Sequence, residues 1–460
     1  MPLQARSVPD DVMVVLRGLR SAGRQAWLAG GAVRDLLRGF GAQDFDVATD
    51  ALPDQVLKLF PKVIPTGIQH GTVSVISGEH KVEVTTFRGE GPYLDGRRPS
   101  AVTFLGEIDG DLARRDFTVN AIAWDPIDGV LRDPFHGEQD LRRCRLRAVG
   151  DALARFREDG LRPLRAVRFA STLRLAIVPA TLRAIPVTLD VFARVAMERV
   201  REELVKLLVR GAPPSRGLRL LLRTGLLARI APELLESVGF AQNRYHRWDV
   251  WRHTLRCVDA APADLIVRLA GLLHDVGKPR SAAPKEGAPG EHTFYDHEKL
   301  GARMAADILQ RLKFPRRDLE RVSLLVAEHN WHYRPEWNDA TVRRVLARIG
   351  VAELPALWAL RRADLQARGR LVEEGLANQA EAEARFAREI ARGSALRVTD
   401  LRLGGEDVMR ELGLPPGRKV GQVLSRLLNR VLDDPDLNSR DKLLGLLPEV
   451  LTELSTDNPQ

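Results

Sequence analysis

Two aspartates separated by one residue, Asp44 and Asp46 in the segment DFDVAT, are the first residues whose types and spacing could carry chemistry. On a β-strand such residues face the same side, where their negative charges repel. A hard cation such as Mg²⁺ would hold the two carboxylates together and bridge to substrate phosphates. The pair therefore predicts a magnesium site for phosphoryl chemistry, and the alternative is a solvated edge strand. Glu83 in KVEVTTFR is either a third carboxylate of this site or an exposed strand residue.

Two glycines precede these aspartates in LAGGAVRD and fall between a predicted strand and a predicted helix. The free amides of Gly30 and Gly31 and the positive end of the helix dipole favour an anion at this turn. Arg34 lies one helical turn further on, at the same opening. Such glycines often serve only to make a tight turn, but the nearby aspartates favour the anion site.

Four charged residues in EDGLRPLRAVRF recur at intervals of three, namely Asp159, Arg162, Arg165 and Arg168. This spacing predicts a polar ridge on a helix that begins near Pro163. Adenine and cytosine both present an amino donor beside a ring acceptor, so a carboxylate with a guanidinium could select these two bases together. The alternative is a surface ion pair of little energetic value.

Seven of the ten histidines lie between residues 246 and 332, a concentration that suggests a metal site. The predicted ligands are His253, His274, Asp275 and Asp364. Imidazole and carboxylate ligands without cysteine suit Mn²⁺, Ni²⁺, Co²⁺ or Mg²⁺, which could activate water against a phosphoester. His297 and His329 either extend the site to a second metal or are ordinary buried or surface histidines.

The elements that must position these residues divide the chain into two parts. Short β-like runs with turns and brief helices extend from residue 25 to about 135, and Leu- and Arg-rich helical patterns follow as far as about 450. The fold class is therefore predicted as α+β. The length of 460 residues suggests about three domains.

Composition limits the classes of function. The net charge of +9 permits a nucleic-acid partner, whereas an aromatic content of 5% argues against RNA binding dominated by base stacking. The two cysteines are far apart and form no CxxC unit, so no disulfide framework or cysteine zinc site is predicted. The sequence shows no signal peptide and no long apolar run, which predicts a cytoplasmic protein without a membrane partner.

Successive segments of residues 25 to 210 resemble the motifs of bacterial class II tRNA nucleotidyltransferases, the CCA-adding enzymes, and their poly(A) polymerase relatives. These segments are LAGGAVRD, DFDVATD, EVTTFRGEGPYLDGRRPSAVTF, DLARRDFTVNAIAWDP, DPFHGEQDL, EDGLRPLRAVRFA and ERVREELVK. The resemblance implies a polymerase-β-like nucleotidyltransferase head with a mixed sheet, followed by all-α neck, HD and C-terminal regions. The predicted boundaries are 1–145 for the head, 146–240 for the neck, 241–370 for the HD domain and 371–460 for the C-terminal helical region.

Residue roles also follow from the resemblance. Asp44 and Asp46 would be catalytic and bind Mg²⁺, and the remaining nucleotide-site residues would be Gly31, Arg34, Arg115, Asp159, Arg162, Arg165 and Arg168. Within that set Asp159 and Arg162 would read the base. The loop at residues 89–104 is intact, which in this family indicates an enzyme able to add the terminal adenosine.

The order of His253, the HD pair and Asp364 resembles the HD phosphohydrolase domain, in which Lys278 would meet a phosphate. Arg418 and Lys419 in GLPPGRKVGQVL either contact RNA phosphates or form an ordinary helix start. The arginines of the neck, between residues 199 and 223, are the predicted tRNA surface.

The sequence thus predicts an enzyme that adds and repairs the 3′-terminal CCA of tRNA from CTP and ATP, with a phosphohydrolase activity in the HD domain. An A-adding enzyme and a poly(A) polymerase are alternatives with the same chemistry. A different class is an HD phosphohydrolase with an RNA-binding head, against which the intact aspartate pair argues. The oligomeric state stays open.

Overall fold

The computed structural model describes residues 3–42, 44–68, 71–90, 102–285, 287, 291–331 and 333–456. The chain separates into two compact units, Met1–Leu235 and Glu236–Gln460. Residues 91–101 of the loop at residues 89–104 fall outside the described residues, so the expectation drawn from this loop stays a prediction. The four predicted domain boundaries stay predictions.

The first unit contains the mixed sheet and the helices that follow it. Its strands are β1 (Ala26–Ala29), β2 (Asp46–Thr49), β3 (Val63–Gly67), β4 (Thr72–Ser77), β5 (His80–Thr86), β6 (Arg88–Glu90), β7 (Val102–Phe104), β8 (Ala123–Asp125), β9 (Val130–Arg132), β10 (Arg145–Leu146) and β11 (Ala176–Ile177). Its helices are α1 (Asp10–Ser21), α2 (Gly31–Leu37), α3 (Pro53–Leu59), α4 (Ile108–Ala113), α5 (Gly137–Arg142), α6 (Ala152–Glu158), α7 (Arg162–Thr172), α8 (Pro179–Val187), α9 (Leu189–Phe192), α10 (Met197–Arg210), α11 (Pro214–Arg223) and α12 (Leu226–Ile230).

A seven-stranded sheet with the order β3-β4-β5-β2-β1-β8-β9 organises this unit. Strand β2 lies in its centre, antiparallel to β1 and parallel to β5. Helix α1 packs on the sheet through Val12, Val15, Leu16 and Leu19, whose spacing places them on one helical face. The α+β prediction is confirmed.

Helix α7 carries the arginine motif and packs against α10 and α11. Its apolar residues Leu164, Val167 and Ala170 are fully buried, so the helix is fixed by its core face. Pro163 occupies its second position, where proline is tolerated because the amide there needs no helical partner.

The second unit is almost entirely helical. Its helices are α13 (Val250–Ala260), α14 (Leu265–Leu273), α15 (Lys278–Ser281), α16 (His297–Arg311), α17 (Arg316–Glu328), α18 (Asp339–Ile349), α19 (Leu354–Arg368), α20 (Val372–Ala391), α21 (Gly405–Leu412), α22 (Arg418–Asp433) and α23 (Arg440–Thr456), with the short strands β12 (Ala283–Pro284) and β13 (His292–Thr293). Helix α13 packs against α14 and α19, and α14 packs against α17. Helices α21 to α23 share a separate apolar cluster that includes Val408, Leu427 and Leu443.

Candidate functional site

The central strands of the sheet bring three acidic side chains together. Asp46 begins β2 and is paired with Glu83 of the parallel strand β5. Asp44 is exposed and lies in the bend before β2, so the expectation of two aspartates on one strand holds only for Asp46. Partial burial raises the pKa of Asp46 to about 6; Arg115 opposes that rise, and Glu83 and Asp44 add to it. This cluster of carboxylate oxygens fits a hard divalent cation.

The turn between β1 and α2 is open because it contains glycine. Gly30 has a φ of 73°, and a Cβ atom there would lie 2.4 Å from Nη1 of Arg115 and 3.8 Å from Oδ2 of Asp46. A Cβ atom on Gly31 would lie 3.7 Å from Nη2 of Arg34. The glycines thus allow the backbone, two guanidinium groups and the carboxylate of Asp46 to approach one another.

Asn120 connects two of the predicted nucleotide-binding arginines. Its side-chain oxygen accepts a hydrogen bond of 2.7 Å from Arg34, and its backbone carbonyl accepts one of 3.3 Å from Arg115. Arg115 also pairs with the buried carboxylate of Asp111 at 3.3 Å, while its Nε atom is buried without a hydrogen-bond partner in the described part of the chain. Both guanidinium groups are therefore held at the aspartate site.

Three arginines, one from α2 and two from α7, lie near the ring of Phe169. The guanidinium carbons of Arg168, Arg165 and Arg34 lie 3.7, 5.3 and 5.5 Å from its centroid. Cation–π attraction of this kind is stronger where water is excluded. The phenyl ring thus gathers three guanidinium groups, each of which also pairs with a carboxylate: Arg34 with Asp35, Arg165 with Asp116 and Arg168 with Glu203.

Two buried carboxylates hold the arginines of α7 in place. Arg165 donates to Asp116 at 2.8 Å and lies 3.6 Å from Glu203, which also accepts from Arg168. Burial raises the pKa of Asp116, but the charge of Arg165 and a hydrogen bond from Asn120 lower it to about 2. Asp116 is therefore ionised at neutral pH.

The predicted base readers have separate partners. Asp159 precedes α7 in an extended conformation and accepts from Arg199 at 2.9 Å, so it is not part of the helical ridge that the spacing suggested. Arg162 begins α7, donates to the carbonyl of Arg114 at 3.0 Å and pairs with Glu158. The side chain of Asp159 is 18% exposed and that of Arg162 only 9%, so Asp159 is the more accessible to a base.

The second unit brings the predicted HD residues into one buried cluster. Nε2 of His253 lies 3.0 Å from Asp364 and 3.1 Å from Nε2 of His274, and Nε2 of His274 lies 3.1 Å from Asp275. Nitrogen and carboxylate oxygen donors that converge within these distances are the donor set of a divalent transition metal. The residues on α13, in the turn after α14 and on α19 thus fit the metal that the sequence suggested.

His297 and His329 complete a second group of ligands around Asp275. Nε2 of each histidine lies 3.6 Å from Oδ1 of Asp275, while Oδ2 of the same carboxylate faces His274. Oδ1 of Asp275 and Nε2 of His297 have no hydrogen-bond partner in the described chain. Asp275 could therefore bridge two metals, one on each side of its carboxylate.

Three of these histidines are oriented in the same way. Nδ1 of His274, His297 and His329 each bonds the backbone carbonyl three residues earlier, at 2.9, 2.7 and 2.7 Å. This bond leaves Nε2 free to face the cluster, as in metal sites with a second shell of hydrogen bonds. Burial lowers the pKa of His297 to about 4, so it is neutral at pH 7 as a metal ligand must be.

Lys278 and Arg368 add positive charge beside the cluster. Lys278 donates to Asp275 at 2.8 Å and to Gln242 at 2.7 Å, and Arg368 donates to Asp364 at 2.8 Å. Burial raises the pKa of Asp275, but His274 and Lys278 hold it well below its usual range. Both carboxylates are thus anionic and can bind metal at neutral pH.

Several residues of these sites were missed by sequence reasoning. They are Asn120, Asp116, Phe169, Glu203 and His246. Arg199, which was predicted as part of the tRNA surface, pairs with Asp159. The alternating DFTVN segment contained a signal for Asp116 and Asn120, because both stand in the motif that supplied Arg115. Arg418 and Lys419 begin α22 and are exposed, and their contact with RNA stays a prediction.

Comparison with known protein families identifies the two units. The family described as "Poly A polymerase head domain" matches residues 26–147, "Probable RNA and SrmB- binding site of polymerase A" matches 174–237, and "HD domain" matches 243–374. The chain is 41% identical over 266 residues to a CCA-adding enzyme of Levilactobacillus brevis, and 47% identical over 220 residues to one of Geobacillus stearothermophilus. The chain therefore contains a poly(A) polymerase head domain and an HD domain, and it is similar in sequence to CCA-adding enzymes.

The sequence alignments with these relatives cover only part of each chain, whereas the structural match covers nearly all of it. The alignments cover 57% and 48% of this chain and 64% and 54% of the two relatives, so the chain spans between half and two thirds of their length. The crystal structure of the Bacillus stearothermophilus CCA-adding enzyme in complex with CTP matches 98% of this chain and 99% of its own, with a TM-score of 0.73 at 29% identity. The nucleotidyltransferase fold and the HD domain expected from the resemblance are both confirmed.

A membrane-spanning helix is not found among the residues that the structure describes. None of the described helices is both long enough and apolar enough to cross a bilayer.

Proposed function

We propose that this chain is a metal-dependent, template-independent nucleotidyltransferase that builds and repairs the 3′-terminal CCA of tRNA from CTP and ATP. The observation that carries the proposal is the position of Asp46, between the carboxylate of Glu83 and the guanidinium of Arg115. The carboxylates would bind metal, and they lie beside arginines whose positive charge suits a triphosphate. Relatives named CCA-adding enzymes, and a solved relative in complex with CTP, support this choice of substrate.

The proposed mechanism assigns separate tasks to the acidic and basic groups. Asp44 and Asp46 would hold Mg²⁺, with Glu83 beside them, and Gly31, Arg34 and Arg115 would bind the triphosphate. When bound, Mg²⁺ would stabilise charge on the attacking and leaving oxygens as the tRNA 3′-hydroxyl loses its proton to solvent and attacks the α-phosphorus, and the bond to the β-phosphate breaks to release pyrophosphate.

The neck residues would position the rest of the nucleotide. Arg165 and Arg168, held by Asp116 and Glu203, would keep positive charge against the nucleotide. Asp159 would accept the amino group of cytosine or adenine, and Arg162 would complete base selection. The assignments of Asp159 and Arg162 keep the roles that the family resemblance implies.

The full-length chain, purified and incubated with tRNA substrates, tests this proposal. Transcripts that end before C74 or after the two cytidines, and an unrelated RNA, are each supplied with CTP, ATP or both. We expect full CCA on the first tRNA and a single A on the second. Extension of only the CC-ended tRNA would favour A-addition, and long adenosine tracts on unrelated RNA would favour poly(A) polymerase.

We also infer that the HD cluster is a hydrolytic metal centre for phosphoesters, held by His253, His274, Asp275 and Asp364. The support for this second activity is the convergence of histidine nitrogens and anionic carboxylates, with Lys278 beside them. The metal would be Mn²⁺, Ni²⁺, Co²⁺ or Mg²⁺, and when bound it would lower the pKa of water for attack. His274→Ala should remove phosphatase or cyclic phosphodiesterase activity and spare CCA addition, whereas Asp46→Ala should do the reverse. Equal loss of both activities in either variant would contradict two separate sites.

A further inference from the structure

A cavity of about 190 Å³ lies between α19 and α20 in the second unit, beside the HD cluster. One face of α19 contributes Trp358, Arg361, Leu365 and Arg368, which follow helical spacing. Gly375 of α20 faces Leu365, where a Cβ atom would lie 2.7 Å from a methyl carbon of the leucine. Two packed helices therefore form one wall of the cavity, and Tyr245, Trp331, Tyr333 and Arg370, from segments between helices, add to its lining.

Arg361 is a largely buried cation without an acidic partner in the described chain. Its Nη1 donates to the carbonyl of His329 at 2.5 Å, and its guanidinium lies 4.7 Å from the centroid of Trp331. Its Nε atom is buried without a hydrogen-bond partner, and no carboxylate of the described residues forms an ion pair with it. Buried charges in proteins are normally paired, and the carboxylate whose charge acts on this guanidinium, Asp364, already pairs with Arg368.

The other charged residues that line the cavity are also mostly positive. Arg368 and Arg370 also line the cavity, and only Glu374 supplies a carboxylate among its described lining residues. Arg368 uses Nη2 for Asp364, and its Nε atom is likewise buried without a partner. Three guanidinium groups against one carboxylate give the cavity a net positive charge, which favours an anionic ligand.

The aromatic residues that line the cavity indicate which chemical group the ligand carries besides its anion. Trp331 is stacked between Trp337 and Phe386 with interplanar angles of 25° and 24°, so its faces are already covered. Tyr245 lines the same cavity and is 47% exposed, and although the guanidinium of Arg244 lies 5.3 Å from its ring centroid, part of the ring surface is open to a planar group. Bases stack on such rings irrespective of their identity.

We propose that this cavity is a binding site for a mononucleotide, whose phosphate contacts Arg361 and whose base packs on Tyr245. The site is distinct from the nucleotide site of the head, which is in the other unit, and none of the residues assigned to the metal cluster lines it. Arg368 and Arg361 each bond a residue of the HD cluster, Asp364 and His329, so an occupant would be adjacent to the metal centre without binding metal. The cavity volume of about 190 Å³ is below the roughly 300–1,000 Å³ of ordinary ligand pockets, so it would enclose only the phosphate end of one nucleotide, with the base at the exposed Tyr245.

Isothermal titration calorimetry of the full-length chain tests this site. AMP, adenosine and inorganic phosphate are titrated in the presence of a chelator, so that neither the head carboxylates nor the HD cluster can hold phosphate through a metal. We expect AMP to bind more tightly than either adenosine or phosphate. Equal affinity for AMP and adenosine would overturn the anion contact, and equal affinity for AMP and phosphate would overturn the contact with the base.

Two variants and a matched control locate the site. Arg361→Gln should weaken AMP binding by about tenfold, as expected for the loss of a charged hydrogen-bond donor. Glu374→Gln should tighten AMP binding by about twofold to fivefold, because it removes the cavity's carboxylate, and a misfolded variant cannot produce this gain. Arg362→Gln is the control, since Arg362 is exposed on the same helix and pairs with Glu383. AMP binding that is unchanged in both Arg361→Gln and Glu374→Gln would overturn the proposal, whatever activity the enzyme shows.

Discussion

Asp46 and Glu83 lie directly opposite each other on neighbouring parallel strands. The negative charge of Glu83 adds to the burial that raises the pKa of Asp46 to about 6. A cation held by both carboxylates would remove this repulsion, and protons would compete with it below about pH 6. The two carboxylates are thus better suited to binding a metal ion than to lying side by side without one.

Glu83→Gln tests this relationship. The substitution should lower the pKa of Asp46, because a neighbouring negative charge is lost, and should reduce Mg²⁺-dependent CTP incorporation by about tenfold, as loss of a metal-site partner does. The acidic limb of the pH–rate profile should also move to lower pH. Rates at saturating CTP over a range of pH and Mg²⁺ concentration measure both effects. Glu79→Gln, on the adjacent turn, is the control, and equal profiles for the two variants would rule out a role for Glu83.

Glu203 is predicted to position the arginines of α7. Glu203→Gln should leave Arg165 and Arg168 without their buried countercharge, which costs about 3 kcal/mol of unfolding free energy. The KM for CTP should rise because the arginines are no longer held. Urea unfolding and steady-state kinetics measure the two effects. Glu202→Gln, an exposed neighbour on α10, is the control, and a KM that is unchanged in Glu203→Gln would leave Glu203 with a structural role alone.

Asp116 links stability to pH. Its pKa falls from an ordinary value near 3.8 to about 2, so its ion pair with Arg165 contributes about 2 kcal/mol above pH 4. Because the folded pKa is the lower one, this contribution is lost as pH falls from about 4 to about 2. Urea unfolding should therefore show Asp116→Asn to be less stable than the parent at pH 7, with a smaller difference at pH 3. A difference that does not change with pH would contradict the linkage, and Asp109→Asn is the exposed control.

Local sequence could predict the strand, turn and helix start that present Asp46, Gly31 and Arg34, because those residues are neighbours in the chain. It could not predict the contacts of Arg168 with Glu203, since the two residues are 35 positions apart and meet only when α7 packs on α10. Nor could spacing reveal that Asp159 precedes its helix and pairs with Arg199. The roles of these residues remain predictions.

The orientation of the HD histidines could not be predicted from the sequence either, for a different reason. His253, His274 and Asp275 belong to a recognisable order, but the orientation of His297 and His329 depends on backbone carbonyls three residues earlier. Only the packing of α14, α16 and α17 turns these imidazoles towards one carboxylate. Sequence alone therefore left a second metal and an ordinary histidine as alternatives.

The bridging position of Asp275 predicts two metals in the HD cluster. His329→Gln removes a ligand from one side, so the protein should retain about one equivalent of Mn²⁺ or Ni²⁺ where the parent retains about two. Dialysis followed by elemental analysis measures the metal, with Asp46→Ala as the background so that the head contributes none. His292→Gln is the control, because its ring packs on Phe240 away from the cluster. Phosphohydrolase activity should fall in His329→Gln while CCA addition, measured with Asp46 intact, is unchanged. One equivalent in the parent protein would show that a single metal occupies the cluster, and His329 would then be a hydrogen-bonding neighbour of Asp275.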